Sequence, residues 1–253
     1  MEASEKIPAE LHRDQLFADN RERVGDFDFG ERTAAVFDDM LERSVPFYGE
    51  IQRMSAELVS DFVVSGDQIY DLGCSTCNTF LEIDSHLPPE THARFVGLDS
   101  SQEMLEKARD KLIRAKFRHD YELRLADLNA TPEIDNATVV ILTLTLQFVR
   151  PMRREALLRR IYEGMSSRGV LILVEKVLGE HSVFNRLFIQ HYYELKKRHG
   201  YSELEIAQKR EALENVLIPY RFTENVSLLR EVGFTQIDTF YRWYNFCGMV
   251  AMK

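Results

Sequence analysis

With 253 residues, 45% hydrophobic and 29% charged, the chain can bury one core of ordinary size, as one domain or one plus a small addition. Forty-one acids against 32 bases leave a net charge of −9, which opposes direct contact with a nucleic-acid backbone. No run approaches the ~20 apolar residues that span a bilayer, and the first residues lack a signal-peptide core. The three cysteines, an odd number, suit no disulfide framework, so a reducing, cytoplasmic setting is expected.

Residues 1–30 mix charges with Phe17, Phe27, Phe29, Gly25 and Gly30, and read as an irregular arm lying over something apolar. The remainder, 31–253, reads as a single domain. Ala34, Ala35, Phe37, Met40 and Leu41 recur at helical spacing until Ser44-Val45-Pro46 breaks the run, and a second helix follows from Tyr48 to Phe62. Strands at 68–72, 94–98, 121–125, 138–144 and 169–176 then alternate with helices at 78–86, 101–116 and 151–166, a pattern that predicts a mostly parallel sheet wrapped by helices. Ser100 or Ser101 caps the second of these helices, with Met104, Leu105, Ala108 and Leu112 as its inner stripe. The basic clusters Arg153-Arg154, Arg159-Arg160 and Lys196-Lys197-Arg198 lie on helices and read as solvated faces.

Beyond Lys176 the spacing predicts a long helix over 182–199, a second from Ser202 with a Ser202/Glu205 capping box, and a last helix at 223–232. Two β-rich segments, 234–242 and 245–252, are too close for a crossover and should pair antiparallel. A parallel, seven-stranded α/β sheet closed by an antiparallel C-terminal strand, with helices inserted at about 182–216, resembles the Rossmann-like fold of class I S-adenosylmethionine-dependent methyltransferases.

The chemical signals centre on Asp71-Leu72-Gly73-Cys74-Ser75-Thr76-Cys77, a strand-to-helix turn. A dinucleotide loop needs glycines to bring a pyrophosphate onto the helix N-terminus, and here Ser75 and Asn78 stand where the second and third would be. A sulfonium cofactor carries no phosphate and needs only backbone access along its amino-acid tail, which Gly73, Cys74 and Ser75 can give. Asp99, at the tip of the second strand, is placed to accept the ribose hydroxyls, and Asp127, past the third, the adenine amine. Cys74 and Cys77 also form a Cys-x-x-Cys whose thiols a helix N-terminus can acidify, although neither a redox partner strand nor further metal ligands are evident. Arg210, on a polar helix near aromatics, is a fixed cation able to grip a carboxylate.

Arg43-Ser44-Val45-Pro46-Phe47-Tyr48, Tyr70-Asp71-Leu72-Gly73-Cys74-Ser75, Thr145-Leu146-Gln147-Phe148, Gly200-Tyr201-Ser202-Glu203-Leu204-Glu205-Ile206, Gln208-Lys209-Arg210 and Leu213-Glu214-Asn215-Val216 together resemble the carboxy-S-adenosylmethionine synthases of the CmoA type. The resemblance implies S-adenosylmethionine, or its carboxylated product, in the pocket; prephenate as carboxyl donor; phenylpyruvate as second product; and a homodimer supplying tRNA wobble-uridine modification without touching nucleic acid. It implies that Arg210 grips the new carboxylate and that Tyr48 lines the same end. It also gives the amino-acid tail to Gly73, Cys74 and Ser75, the ribose to Asp99 and Ser100, the adenine to Asp127 and Leu128, and a cofactor contact to Thr143. Two departures bear on this: Cys77 stands where the family pattern has glycine, and Thr143-Leu144 where it has an asparagine. A methyltransferase acting on a small molecule and a non-catalytic cofactor-binding protein are the competing readings.

Overall fold

A computed structural model describes residues 13–253. Glu31–Ser44 (α1) and Tyr48–Phe62 (α2) precede an alternation of Gln68–Leu72 (β1), Asn78–His86 (α3), Arg94–Asp99 (β2), Gln102–Ala115 (α4), Asp120–Leu125 (β3), Ala137–Thr143 (β4), Pro151–Gly164 (α5) and Met165–Lys176 (β5). Ser182–Arg198 (α6), Glu203–Leu213 (α7), Phe222–Val232 (α8), Gln236–Trp243 (β6) and Phe246–Met252 (β7) complete the chain. The sheet order is β3-β2-β1-β4-β5-β7-β6, parallel from β3 to β5, with β7 antiparallel to both β5 and β6. This is the seven-stranded, mostly parallel α/β arrangement expected from the alternation.

Strand order reverses between β1 and β4, so their carboxyl ends diverge and open a crevice there. β4 is covered on both faces, which is why it reads as an unbroken apolar run. Alternate side chains feed two cores: Val140 and Leu142 join α5 and α8 through Leu157, Ile161 and Leu229, while Val139 and Ile141 join α2, α3 and α4 through Val59, Phe80 and Leu105. The edge strands β3 and β6 are half-exposed and rich in polar residues. Among the two candidate caps, Ser101 does the work: its hydroxyl accepts from the Met104 N–H at 3.1 Å.

The described part of the arm, from Arg13 to Gly30, is irregular and does lie on apolar surface. Phe27 and Phe29 pack edge-to-face, and Phe29 meets Phe148, on the loop after β4, with ring centroids 5.2 Å apart. Gln208 of α7 pins the arm by donating to the Phe17 and Asp19 carbonyls and accepting from the Arg21 N–H.

Two basic clusters depart from the solvated-face expectation. Arg154 is 1% exposed; its guanidinium donates to the carbonyls of Gln147, Val149 and Ile218 and stacks on Tyr220. Lys196 is 5% exposed and turned inward. Each lies in phase with a buried apolar stripe, Arg154 with Leu157, Leu158 and Ile161, and Lys196 four residues after Tyr192.

Candidate active site

The crevice at the carboxyl ends of the strands is a cavity of about 370 Å³, a volume usual for small-molecule sites. Its floor begins at the β1–α3 turn. Gly73 has φ +79°, and a Cβ there would lie 2.5 Å from the Thr145 side chain, so glycine is required twice over. The Gly73 and Cys74 N–H groups donate to the Leu98 carbonyl at 2.7 and 3.0 Å, fastening the turn to β2. The Asp99 carboxylate, at the tip of β2, accepts from the Ser75 N–H on one oxygen and from the Ser101 N–H on the other, both at 2.9 Å. Burial raises the Asp99 carboxyl above its ordinary value, and these backbone donors oppose the rise. Each oxygen keeps a lone pair for a further donor, the pattern two vicinal hydroxyls need.

Asp71, one residue before the strand end, is 1% exposed, and burial together with the Asp99 charge pushes it up to about 7. Asp127 follows β3 and folds one oxygen onto the Asn129 N–H and amide, leaving the other unclaimed among the described residues. Leu128 closes the floor beside it. Tyr48 opens α2, and its hydroxyl accepts from the Asn78 amide at 3.4 Å. Thr143 ends β4 with a buried hydroxyl that has no partner among the described residues. Arg210, exposed on α7, lines the cavity from its mouth, and Ser100 lines it beside Asp99. Tyr48, Gly73, Cys74, Ser75, Asp99, Ser100, Asp127, Leu128, Thr143 and Arg210, although spread over four strand ends and two helices, thus line one cavity. The donor and acceptor set suits a nucleoside with a zwitterionic tail; among the described residues no cluster of side chains could hold a metal ion.

Residues 69–169 match the family model of a methyltransferase domain. The carboxy-S-adenosyl-L-methionine synthase of Methylococcus capsulatus is 53% identical over 243 residues, covering 96% of this chain and all of the relative. That of Desulfotalea psychrophila is 46% identical over 228 residues, 90% of this chain and 92% of the relative. The chain belongs to the carboxy-S-adenosyl-L-methionine synthase family. Human N-acetylserotonin methyltransferase, solved with S-adenosylmethionine, matches in fold, with a TM-score of 0.58, 16% identity and coverage of 88% of this chain and 55% of that one. An enzyme of S-adenosylmethionine-related transferase chemistry follows from this membership.

The structure adds residues that the sequence left unassigned. Lys176 ends β5, Lys196 projects from α6 and Lys209 from α7, and all three line the same cavity as Arg210. Lys209 forms a buried ion pair with Asp14 at 3.1 Å, and the Tyr201 hydroxyl donates to the same carboxylate. Burial would push the Asp14 carboxyl up, but Lys209 and Tyr201 outweigh it and hold it below its ordinary value. Gln147 ties the strand tips together, accepting from the Lys176 N–H at 3.0 Å and donating to the Leu144 carbonyl at 3.2 Å. Position at a strand's carboxyl end was the available signal for Lys176.

The Cys74–Cys77 pair is not an activated thiol couple. Both are free and buried, and the hydrogen bond that the Cys74 S–H makes to Cys77, with burial, raises the Cys74 thiol far above its ordinary value. Cys77 has φ +59°, a left-handed conformation that glycine adopts freely and that costs another residue about 1–2 kcal/mol. The family glycine thus has a backbone reason, and Cys77 fills the conformation with a wholly buried side chain.

Proposed function

We propose that the protein is a carboxy-S-adenosyl-L-methionine synthase that joins the carboxyl carbon of prephenate to the methyl carbon of S-adenosylmethionine, releasing phenylpyruvate and water. The bond from the prephenate ring to its carboxyl group breaks, the ring becomes aromatic and expels hydroxide, one methyl C–H breaks, and a carbon–carbon bond forms; hydroxide and proton leave as water. S-adenosylmethionine supplies a sulfonium that acidifies its methyl group. The observation that carries this reading is the presence of Arg210 on the cavity that also holds the Gly73 turn and Asp99.

In this reading the Gly73, Cys74 and Ser75 backbone takes the amino-acid tail, Asp99 and Ser100 the ribose, Asp127 and Leu128 the adenine, and Thr143 offers its unpartnered hydroxyl. Arg210 and Tyr48 hold the carboxylate end. Phe27 and Phe29 of the arm roof the cavity, and excluding water there protects nascent carbon dioxide from hydration. The product serves tRNA wobble-uridine modification carried out elsewhere. A cytoplasmic homodimer completes the reading: the three cysteines are free thiols, and Val183, Phe184 and Leu187 of α6 with Tyr244 offer exposed apolar surface for self-association.

The test is to denature the purified protein and weigh what it releases, and to assay it with both substrates. A species heavier than S-adenosylmethionine by one carbon dioxide supports the proposal. Plain or demethylated cofactor with methyl transfer to a small molecule supports an ordinary methyltransferase, and failure to bind either cofactor form removes the enzymatic reading.

A further inference from the structure

The cavity is electrically divided. Over β1, β2 and β3 its charged groups are the carboxylates of Asp99 and Asp127, with Asp71 buried beneath. Every lysine or arginine that lines it comes from β5, α6 or α7, on the far side of the β1/β4 crevice. Lys209 is neutralised by Asp14. Lys176 and Lys196 are not neutralised: among the described residues neither ammonium makes a hydrogen bond or ion pair, and their nitrogens sit 4.9 and 4.6 Å from the centroid of one ring, Tyr192. Glu175 is not their counterion, since successive strand residues face opposite ways and its carboxylate accepts the Leu146 N–H at 2.9 Å. Glu214 lines the cavity too, but it is exposed at the C-terminal cap of α7 and makes no ion pair with either lysine among the described residues.

Lys196 is buried and Lys176 half-buried, and two like charges held together without a paired anion repel each other and lose hydration, a penalty that falls when a carboxylate reaches them. Burial, then repulsion from Lys209 and Lys176, depresses the Lys196 ammonium, and the attraction of Asp14, already paired with Lys209, offsets only part of this. S-adenosylmethionine, with its tail on the Gly73 turn, leaves this half of the cavity to the other reactant. We propose that Lys176 and Lys196, grouped on the Tyr192 ring, are the seat for the carboxylates of the second substrate, an organic dicarboxylate. This rests on the two-substrate reading above. It separates two anion sites: the lysine pair for the incoming acid, and Arg210 at the mouth for the carboxylate of the product. A tyrosine face beneath the two cations suits a flat six-carbon ring as well as the charges.

The test is calorimetric titration of the whole protein with S-adenosylmethionine, and separately with prephenate, the stable dicarboxylate phenylsuccinate and the monocarboxylate phenylpyruvate. Wild type should bind the dicarboxylates more tightly than the monocarboxylate. Lys176→Met and Lys196→Met should each weaken dicarboxylate binding about tenfold or more and leave S-adenosylmethionine affinity unchanged, with Lys196→Arg recovering most of the loss. Repeating the titration in buffers of different ionisation enthalpy should show proton uptake in wild type that each Met variant reduces. Met variants that bind the dicarboxylates like wild type overturn the inference and leave the two-substrate reading standing, whereas a wild type that binds S-adenosylmethionine but no dicarboxylate, prephenate included, overturns both. Equal loss of both ligands, unrescued by arginine, overturns it by making the lysines structural. A wild type that binds no S-adenosylmethionine overturns the underlying reading instead.

Discussion

Lys176→Met should make the ligand-free protein more stable at neutral pH. Burial pushes the Lys176 ammonium down to about 8 from its ordinary 10.5, and among the described residues no anion offsets that cost. At about 1.4 kcal/mol per unit, the penalty is on the order of 3 kcal/mol, an upper bound because water in the cavity screens the charge. Methionine keeps the apolar stem against Tyr192 and removes the charge. Below pH 8 lysine is protonated in both folded and unfolded chains, so the whole penalty is present; between pH 8 and 10.5 only the unfolded chain holds the proton, and wild type gains stability as pH rises. Urea unfolding of wild type and variant from pH 7 to pH 10.5 should therefore show an advantage for methionine that is largest at neutral pH and fades at the alkaline end. An advantage that does not vary with pH reports better packing, and a less stable variant means the ammonium has a partner; either result refutes the reasoning.

Arg210→Ala should abolish retention of the carboxylated cofactor while sparing S-adenosylmethionine, read by mass spectrometry of released ligand; equal loss of both sinks the role given to Arg210. Asp14→Asn breaks a buried ion pair, stranding Lys209 beside Lys196, and should cost about 3–5 kcal/mol by denaturant unfolding. Because the Asp14 carboxyl is held below 3.8, the stability it contributes is in place at neutral pH and disappears only as pH falls below that value, so wild type and variant should converge in strong acid. Gly73→Ala puts a methyl 2.5 Å from Thr145 at φ +79°, and should cost about 2–4 kcal/mol in unfolding and abolish S-adenosylmethionine binding by calorimetry.

What could be read from the sequence was what local chemistry specifies. The apolar runs of β4 and β5, the Ser202/Glu205 capping box and the Gly73 turn each state their conformation within a few residues, and from them follow the mostly parallel sheet and the strand-end residues that line the cavity. Contacts across the chain were not legible: Asp14 meets Lys209 at a separation of 195 residues, and nothing near either residue announces the other. The inward turn of Arg154 and Lys196 lies between these cases. Both continue an apolar stripe at helical spacing, and a cation in phase with such a stripe is carried inside by its neighbours whatever its own preference. Reading three consecutive cations as one solvated face overlooks that successive helical residues point about 100° apart, so Lys196 can face the cavity while Lys197 and Arg198 face water.

That geometry explains why the charges are distributed as they are. Folding alone disfavours Lys176 and Lys196, since a half-buried and a buried ammonium group without a paired anion lower stability where methionine or leucine would raise it. Their positions are held by the structure around them: Gln147 fixes the Lys176 backbone, and Tyr192 and Leu195 anchor the helix face that carries Lys196. Glu175, pushed up to about 8 by burial, sits directly behind and is largely protonated at neutral pH, so it does not discharge the pair. The proposed cationic seat therefore lies preformed opposite the carboxylate-lined half of the cavity, with the β4 tip and the Thr143 hydroxyl, unpartnered among the described residues, lining the cavity as well. In the reaction proposed above, a cationic cofactor and an anionic co-substrate would be drawn to opposite halves, and the Phe27 and Phe29 roof over the boundary would keep water from the carbon dioxide passed between them.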